Sequence, residues 1–542
     1  MVRFLKEQLS RRQFLRAAAG AAIVGLWGLR RRNVAATQRR GAIRVLVHDA
    51  MHDGGAFSQG QLLGARLDRP RTGGALRGAG AFESPLVTSP FPFTHVGLHW
   101  KGKGSDLAGA KFEVRTSENG RNWSPWRQAH IEATPFETPA GETYAALVGA
   151  PRHGYLQYRA WLPEATIISS VTATFINSVD GPVIESTASA GAAAVSGKPI
   201  DFTREGWGAD ESLRFRGKKE IWHRMYVPWK KLVVHHTATS NDYSDGAAEV
   251  RAIYTYHART LGWGDIGYSV LVDRFGYSYE GRYGREDDEY GVDYDEGLPR
   301  EIFGRDVVGG HALSHNYGSP GTAVIGNFEE APPPSDGRMM ARLVDLLEWE
   351  ARLRQIDSHG VSDYLLSNDT WNRGLPNVCG HRDCNATLCP GQNVYDQLPS
   401  IRDELAARLA KSGAPGVALV SGPDGKTVPT GELSYEWSDP LGKAVAYSYY
   451  LEGWFKPSNS EDIKYLTGFT HDRLPAWSDW MDATSETFSG LADGHYTFHV
   501  RSRDADGNTS VYQANRTSLM SGTDGGGGGP GRGGGRGKKP PR

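Results

Sequence analysis

The sequence predicts a multidomain chain: a central mixed α/β domain, its sheet surrounded by helices, between an N-terminal β-sandwich and a C-terminal β-sandwich. Three observations carry this reading. The chain has 542 residues, which at roughly 100–200 residues per domain corresponds to about three domains. Apolar and polar residues alternate over 42–182 and again over 415–512, the two-residue period of half-buried strands. Between them, over 200–411, helical spacing appears beside apolar strand runs, as a mixed domain requires.

At the start of the chain, Ser10-Arg11-Arg12-Gln13-Phe14-Leu15-Arg16 precedes an apolar run from Ala17 to Leu29. A basic stretch before so short an apolar run reads as an export signal over 1–36, too short to span a bilayer as a helix. The Arg pair followed by Phe-Leu resembles the bacterial twin-arginine signal. Val34-Ala35-Ala36 offers small residues for cleavage, with Arg30, Arg31 and Arg32 intervening. The expected destination is extracellular, periplasmic or cell-wall associated. No later run approaches about 20 apolar residues, so no further membrane span is expected.

In the first module Val96, Leu98 and Trp100 share a face, Phe112 and Val114 repeat the pattern, and Glu118-Asn119-Gly120 supplies a turn. Tyr155 to Arg159 and Val171 to Ile176 continue it, which together make a β-sandwich. Residues 186–199 are small and flexible, a linker. The middle domain opens on the buried-strand run Leu232-Val233-Val234. Helical spacing follows over Ala247 to Thr260, and strand returns over Tyr268 to Val272. Arg338 to Ile356 is a helix with Leu343, Leu346, Leu347 and Trp349 on one face, and Ile401 to Ala410 closes with another. In the last module Leu433 to Trp437 and Tyr496 to Val500 alternate, and Asp504-Ala505-Asp506-Gly507-Asn508 turns. This segment resembles a fibronectin type III or immunoglobulin-like β-sandwich. The tail over 521–542 is Gly, Arg, Lys and Pro and cannot bury enough apolar surface to fold.

Net charge is −1, which argues against nucleic acid as a partner. Aromatic residues are plentiful, with 15 Trp and 23 Tyr, and surfaces that face sugars use such rings besides the core. The three cysteines, Cys379, Cys384 and Cys389, lie in one stretch, which marks one local site and not a disulfide framework.

Three features of the middle domain fit a single metal site: Val233-Val234-His235-His236-Thr237, then Gly380-His381-Arg382-Asp383, then Thr387-Leu388-Cys389-Pro390-Gly391. Zinc accepts imidazole nitrogen and thiolate sulfur, and catalytic sites use three protein ligands with the fourth position left to water. His235 and His236 point to opposite faces of a strand, so only one is a ligand, and periodicity does not choose between them. Each piece alone is weak: paired strand histidines are more often structural, and a single cysteine is more often a small buried hydrophobe.

The order of the motifs is specific. Val233 to Thr239, Asp265 to Val272, Tyr279-Glu280-Gly281-Arg282, Gly309 to Asn316, Gly326-Asn327-Phe328, and the two segments around His381 and Cys389 together resemble the peptidoglycan recognition protein family, related to type 2 N-acetylmuramoyl-L-alanine amidases. The resemblance covers about 202–405, entered by Thr203 to Ala209, and with the export signal it implies a bacterial member with flanking β modules. It implies His235, His381 and Cys389 as Zn2+ ligands, Tyr268 and Thr387 as catalytic hydroxyls, and His236, His311 and Asn316 as substrate-binding residues. The implied reaction is hydrolysis of the amide between N-acetylmuramic acid and L-alanine, with peptidoglycan or muramyl peptides as partner. For the general base, Glu280 and His236 are the candidates by motif.

The alternative is a non-catalytic peptidoglycan-binding recognition protein, which Cys389, Tyr268 and Thr387 argue against. A zinc peptidase of another kind is disfavoured because no His-Glu-x-x-His helix is present. Cys379 and Cys384 are left as a short disulfide or two buried thiols. Because all proposed catalytic residues fall between 235 and 389, the flanking modules are expected to be dispensable for chemistry and to place the enzyme on its substrate.

Overall fold

The computed structural model describes residues 42–68, 74–104, 107–131, 141–184, 198–284, 305–410, 414–429, 431–455, 464–467 and 477–522. The export segment over 1–36, the linker through residue 197 and the tail from 523 lie outside the described residues. Among the described residues no helix is long and apolar enough to cross a membrane.

The central domain is built on a five-stranded mixed sheet. Its strands are β1 (Leu232–His236), β2 (Val270–Val272), β3 (Ser278–Glu280), β4 (Gly321–Val324) and β5 (Val378–Gly380), in spatial order β3-β2-β4-β1-β5. β1 pairs in parallel with both β4 and β5, and only β3 runs antiparallel. Strands buried on both faces need continuous apolar runs, and Leu-Val-Val in β1 and Val-Leu-Val in β2 supply them. Helix α1 (Gly246–Thr255) covers one face, starting where the Asp245 carboxylate accepts the Ala248 N–H. Helix α2 (Arg338–Arg354) covers the other, burying Leu343, Leu346, Leu347 and Ala351 at helical spacing. A short turn α3 (His381–Cys384) follows β5, and α4 (Leu398–Leu409) packs beside α2.

The N-terminal module is an eleven-stranded sheet whose named strands pair antiparallel. The sandwich expected from alternation is hydrogen-bonded into one sheet, because Val87–Lys103 and Val148–Leu162 are long enough to pair with several neighbours each. The C-terminal module holds a three-stranded and a five-stranded sheet, and the Tyr496 hydroxyl donates to the Ala492 carbonyl four residues upstream. Its last strand, Ala514–Met520, runs past the boundary at 512, since Asn515 and Arg516 break the alternation that would have signalled it.

One internal repeat joins the two modules. Trp123-Ser124-Pro125-Trp126 and Trp477-Ser478-Asp479-Trp480 share the pattern W-S-x-W. In the first, Arg115 lies over Trp123 and Trp126; in the second, Arg501 lies over Trp477 and Trp480. Each serine ties its loop to a strand in the same way. Its hydroxyl accepts the N–H of Thr116 or Tyr449, and its own N–H bonds that residue's carbonyl.

The N-terminal module packs directly on the central domain. Leu147 and Ile176 share one apolar cluster with Val250, Ile253, Tyr254 and Tyr256 of the central domain. Nearly all of α1 is buried, including Glu249 and Arg251. These two charges are tolerated because the module answers them: His95 Nε2 lies 2.9 Å from Glu249, and Arg251 donates to the Ser178 carbonyl.

Candidate metal centre

Parallel pairing sets the site. β1 and β5 are neighbours running the same way, so their C-terminal ends share one edge of the sheet. Loops at that edge are where ligands collect in such sheets. His235 ends β1 on the face that α1 covers, and His381 follows β5 directly. The loop after α3 folds back, with the Arg382 N–H bonding the Cys389 carbonyl, and delivers the thiol. The ligand atoms of His235, His381 and Cys389 all lie within 4.8 Å of one another, and all three residues are buried. Cys389 Sγ is 3.6 Å from His235 Nδ1 and accepts the His236 N–H at 3.3 Å.

Hydrogen bonds decide which nitrogens face the cluster. His311 Nε2 bonds the Ser319 carbonyl at 2.7 Å, so it carries the proton and His311 Nδ1 is an acceptor. His235 Nε2, 2.9 Å from that Nδ1, must then be the donor. This leaves His235 Nδ1 as a lone pair aimed toward Cys389. The same logic holds on the other side. Asn385 Nδ2 donates to the Leu313 carbonyl, which turns Asn385 Oδ1 toward His381 Nε2 at 3.2 Å and leaves His381 Nδ1 bare. Such outer partners fix tautomer and ring orientation around a metal.

The imidazoles are held neutral, as metal ligation requires. Burial, reinforced by His381 and His311, drives His235 well below the ordinary 6.5. Burial pulls His381 down to about 4 against the bond to Asn385. Burial and the His381 charge push His311 down to about 3.

The other predicted residues fall as follows. Tyr268 has its ring centroid 5.6 Å from that of His235. The Thr387 hydroxyl accepts the Cys389 N–H at 3.2 Å, which leaves its hydrogen for donation. His311 is buried behind His235, and Asn316 holds the His311 loop by accepting the N–H groups of His311 and Ala312. His236 turns to the opposite face of the sheet, where its Nδ1 accepts the Phe328 N–H. Glu280 is engaged with the Arg204 N–H. Cys379 and Cys384 are free thiols, and the bond to Cys379 and burial push the Cys384 thiol up. Three residues escaped the sequence reading. Ser319 and Asn385 act only through other side chains and carry no motif; His257, 5.9 Å from Tyr268 between ring centroids, reads as an ordinary helix residue.

A buried two-histidine, one-cysteine cluster at the edge of a mixed α/β sheet defines a metal-site domain, and comparison with known proteins identifies its kind. The model of the N-acetylmuramoyl-L-alanine amidase family matches residues 225–392. Peptidoglycan-recognition protein SC2 of Drosophila simulans is 31% identical over 169 residues, 31% of this chain and 70% of that protein. The human N-acetylmuramoyl-L-alanine amidase is 32% identical over 213 residues, 38% of this chain. The solved structure of Drosophila PGRP-LB aligns over 37% of this chain and 92% of that chain, at 24% identity and a TM-score of 0.25. The chain belongs to the family of peptidoglycan recognition proteins and N-acetylmuramoyl-L-alanine amidases. It spans 29% of the length of the human amidase and 28% of that of the pig.

Proposed function

We propose that the protein is a Zn2+-dependent N-acetylmuramoyl-L-alanine amidase that hydrolyses the amide joining N-acetylmuramic acid to L-alanine in peptidoglycan. The observation that carries it is the separation of His235 Nδ1 and Cys389 Sγ. Tetrahedral bonds of about 2.3 Å to sulfur and about 2.0–2.1 Å to nitrogen put two such donors about 3.6 Å apart, and these atoms are 3.6 Å apart. That pair is spaced for the ion, and with the three donor atoms within 4.8 Å of one another His235, His381 and Cys389 would hold it. When bound, zinc supplies Lewis-acid activation of water and of a carbonyl oxygen.

The chain's own groups do the rest. His311 and Asn385 keep the two ligand rings in the binding tautomer. Tyr268 and Thr387 bring hydroxyls beside the ligands, and their role is to donate to the oxyanion as the amide carbonyl becomes tetrahedral. Burial of the ligand set keeps bulk water away, which strengthens each of these interactions.

The finer readings rest on their own observations. The twin-arginine-like segment supports a bacterial, exported member acting outside the cytoplasm. A fibronectin III or immunoglobulin-like C-terminal module is supported by its two-sheet order and by the Tyr496 bond to Ala492, a tyrosine corner.

The test is digestion of purified peptidoglycan with the full-length protein, with the released ends identified by mass spectrometry. Free stem peptides beginning with L-alanine, and about one zinc per chain, are expected. Cys389→Ser removes most of the zinc, and His311→Ala weakens zinc affinity by about 10–100-fold. Binding of peptidoglycan with zinc present and no peptide released would instead make the protein a recognition module.

A further inference from the structure

We propose that the C-terminal module carries an anion-binding site, formed by the guanidinium edges of Arg501 and Arg503 in the ladder Trp477–Arg501–Trp480–Arg503, and that it takes the free carboxylates of peptidoglycan stem peptides. None of these residues belongs to the metal centre. The choice of ligand rests on the reading of peptidoglycan as substrate given above.

The two W-S-x-W loops stack arginines on indoles in the same way but differ in charge. In the C-terminal copy Arg501 lies 4.1 Å from the Trp477 ring centroid and 4.9 Å from that of Trp480, and Arg503 lies 4.6 Å from the latter. In the N-terminal copy Arg115 and Arg159 each lie 4.5 Å from the Trp126 centroid. There both arginines are neutralised: Arg115 pairs with Glu83 at 3.1 Å, and Arg159 pairs with Glu113. Strand register explains the difference. Glu113 stands directly opposite Arg159, and Gln157 opposite Arg115. In the C-terminal module the residues opposite are Ser448 for Arg501 and Ala446 for Arg503, and neither supplies a charge. Among the described residues neither guanidinium has a hydrogen bond or an ion pair, and Arg501 Nε is buried without an acceptor. Asp479, in the loop between the two indoles, is exposed and pairs with neither.

An indole face attracts a cation from above. Stacking of this kind leaves the forked edge of each guanidinium free, and that edge matches a planar carboxylate. Arg501 and Arg503 are two apart on the strand Gly494–Asp504, so they share one face beside the half-buried indoles. Burial draws the Arg501 guanidinium below its ordinary value, opposed by Tyr450 and by no carboxylate among the described residues. The frame is set before any ligand arrives. The Ser478 and Met481 N–H groups bond the Tyr449 and Tyr447 carbonyls, and Trp477 packs edge-on against Tyr450. Fixed charges of one sign recruit the opposite sign at little ordering cost. In the proposed substrate the glycan chain bears stem peptides, and each one that is not cross-linked ends in a carboxylate. That group recurs along the wall and complements the ladder.

The test is pelleting of the full-length protein with purified sacculi, in the cold and before digestion, with thermal unfolding measured alongside. Sacculi stripped of phosphate-bearing polymers are used as such and after amidation of their carboxylates. Wild type binds the first and loses about tenfold in affinity on the second, a charge-assisted hydrogen bond being worth about that; added salt weakens the binding. Arg501→Gln with Arg503→Gln lowers affinity for untreated sacculi by a similar factor and removes the difference between the two preparations. Arg503 lies over a single indole, so Arg503→Gln alone gives a smaller loss and carries the test if the double variant does not fold. Arg115→Gln, in the neutralised ladder, binds as wild type does. Arginine variants that unfold earlier yet bind as wild type does make the ladder structural and overturn the proposal. So does a loss that amidation does not share, or binding that requires the phosphate-bearing polymers. If binding depends on the arginines and no peptide is then released, the amidase reading fails and the site stands. If peptide is released and the variants bind as wild type does, the site falls and the amidase reading stands.

Discussion

The two β modules meet the central domain with different proportions of apolar and polar contact. On the N-terminal side the seam is apolar and continuous with a core: Leu147 and Ile176 pack with Val250, Ile253 and Tyr256. On the C-terminal side an apolar cluster of Met225, Val227, Val308 and Trp454 is joined by a larger set of polar contacts. Lys230 Nζ donates to Thr497 and lies 3.6 Å from Glu452. Gln355 donates to the Ser510 carbonyl, Arg354 to the Tyr450 hydroxyl, and His495 lies 2.7 Å from Asp369. Burial of one large aliphatic side chain is worth about 1.5–3 kcal/mol, against about 0.5–1.5 kcal/mol net for a hydrogen bond. The first seam thus draws more on apolar burial and the second more on hydrogen bonds. The first contributes Leu147 to a recess beside Tyr268.

Deletion separates the two most sharply. Removing residues 42–184 exposes the apolar face of α1, and the remaining chain is expected to aggregate or to lose at least about 100-fold in turnover, a one-ångström displacement near the chemistry being enough for that. Removing 415–522 should leave turnover on soluble muramyl peptides within about threefold. Equal loss from the two deletions, read by solubility and rate, would erase the distinction.

The next largest effect is at the buried pair. Glu249→Ala leaves His95 Nε2 without its partner in a site where both side chains are under a tenth exposed, and about 1–3 kcal/mol of stability is expected to go, measured by denaturant unfolding. Gly97→Ala acts on the same seam by crowding the Tyr256 ring and should cost about 1–3 kcal/mol; a neutral result would mean the seam yields.

The smallest effect tests the other side. Burial pulls His499 down to about 4 against the attraction of Glu452, 3.6 Å away. Burial works to raise Glu452, but the His499 and Lys230 charges outweigh it and hold its carboxyl down to about 2. Between pH 6.5 and about 4 the undocked histidine takes up a proton that the docked one refuses, so stability falls as pH falls through that window. His499→Gln should flatten this dependence for the C-terminal module, followed by thermal unfolding at stepped pH, and leave the N-terminal seam unmoved.

Much of the central domain is legible before folding. The helix over Arg338–Arg354 and the strand Leu232–His236 follow from local period, and the repeated W-S-x-W pattern stands in plain view in both modules. The seam is not legible. Glu249 and Arg251 read as the solvent face of a helix, yet they are buried by partners far away in the chain, His95 being 154 positions distant. Nothing in the run Tyr144 to Gly149 marks Leu147 as the residue that faces Tyr268.

The sequence by itself determined the donor types, two imidazoles and a thiolate in short ordered motifs, and the family resemblance of those motifs singled out His235 over His236 beside His381 and Cys389. Tertiary structure decided what those donors face. The ring nitrogen that His235 presents depends on His311, 76 positions away, and on the Ser319 carbonyl behind it, and one residue of the recess beside Tyr268, Leu147, comes from another module. A lone pair is aimed by its neighbours in space, and no local period encodes which neighbours those are.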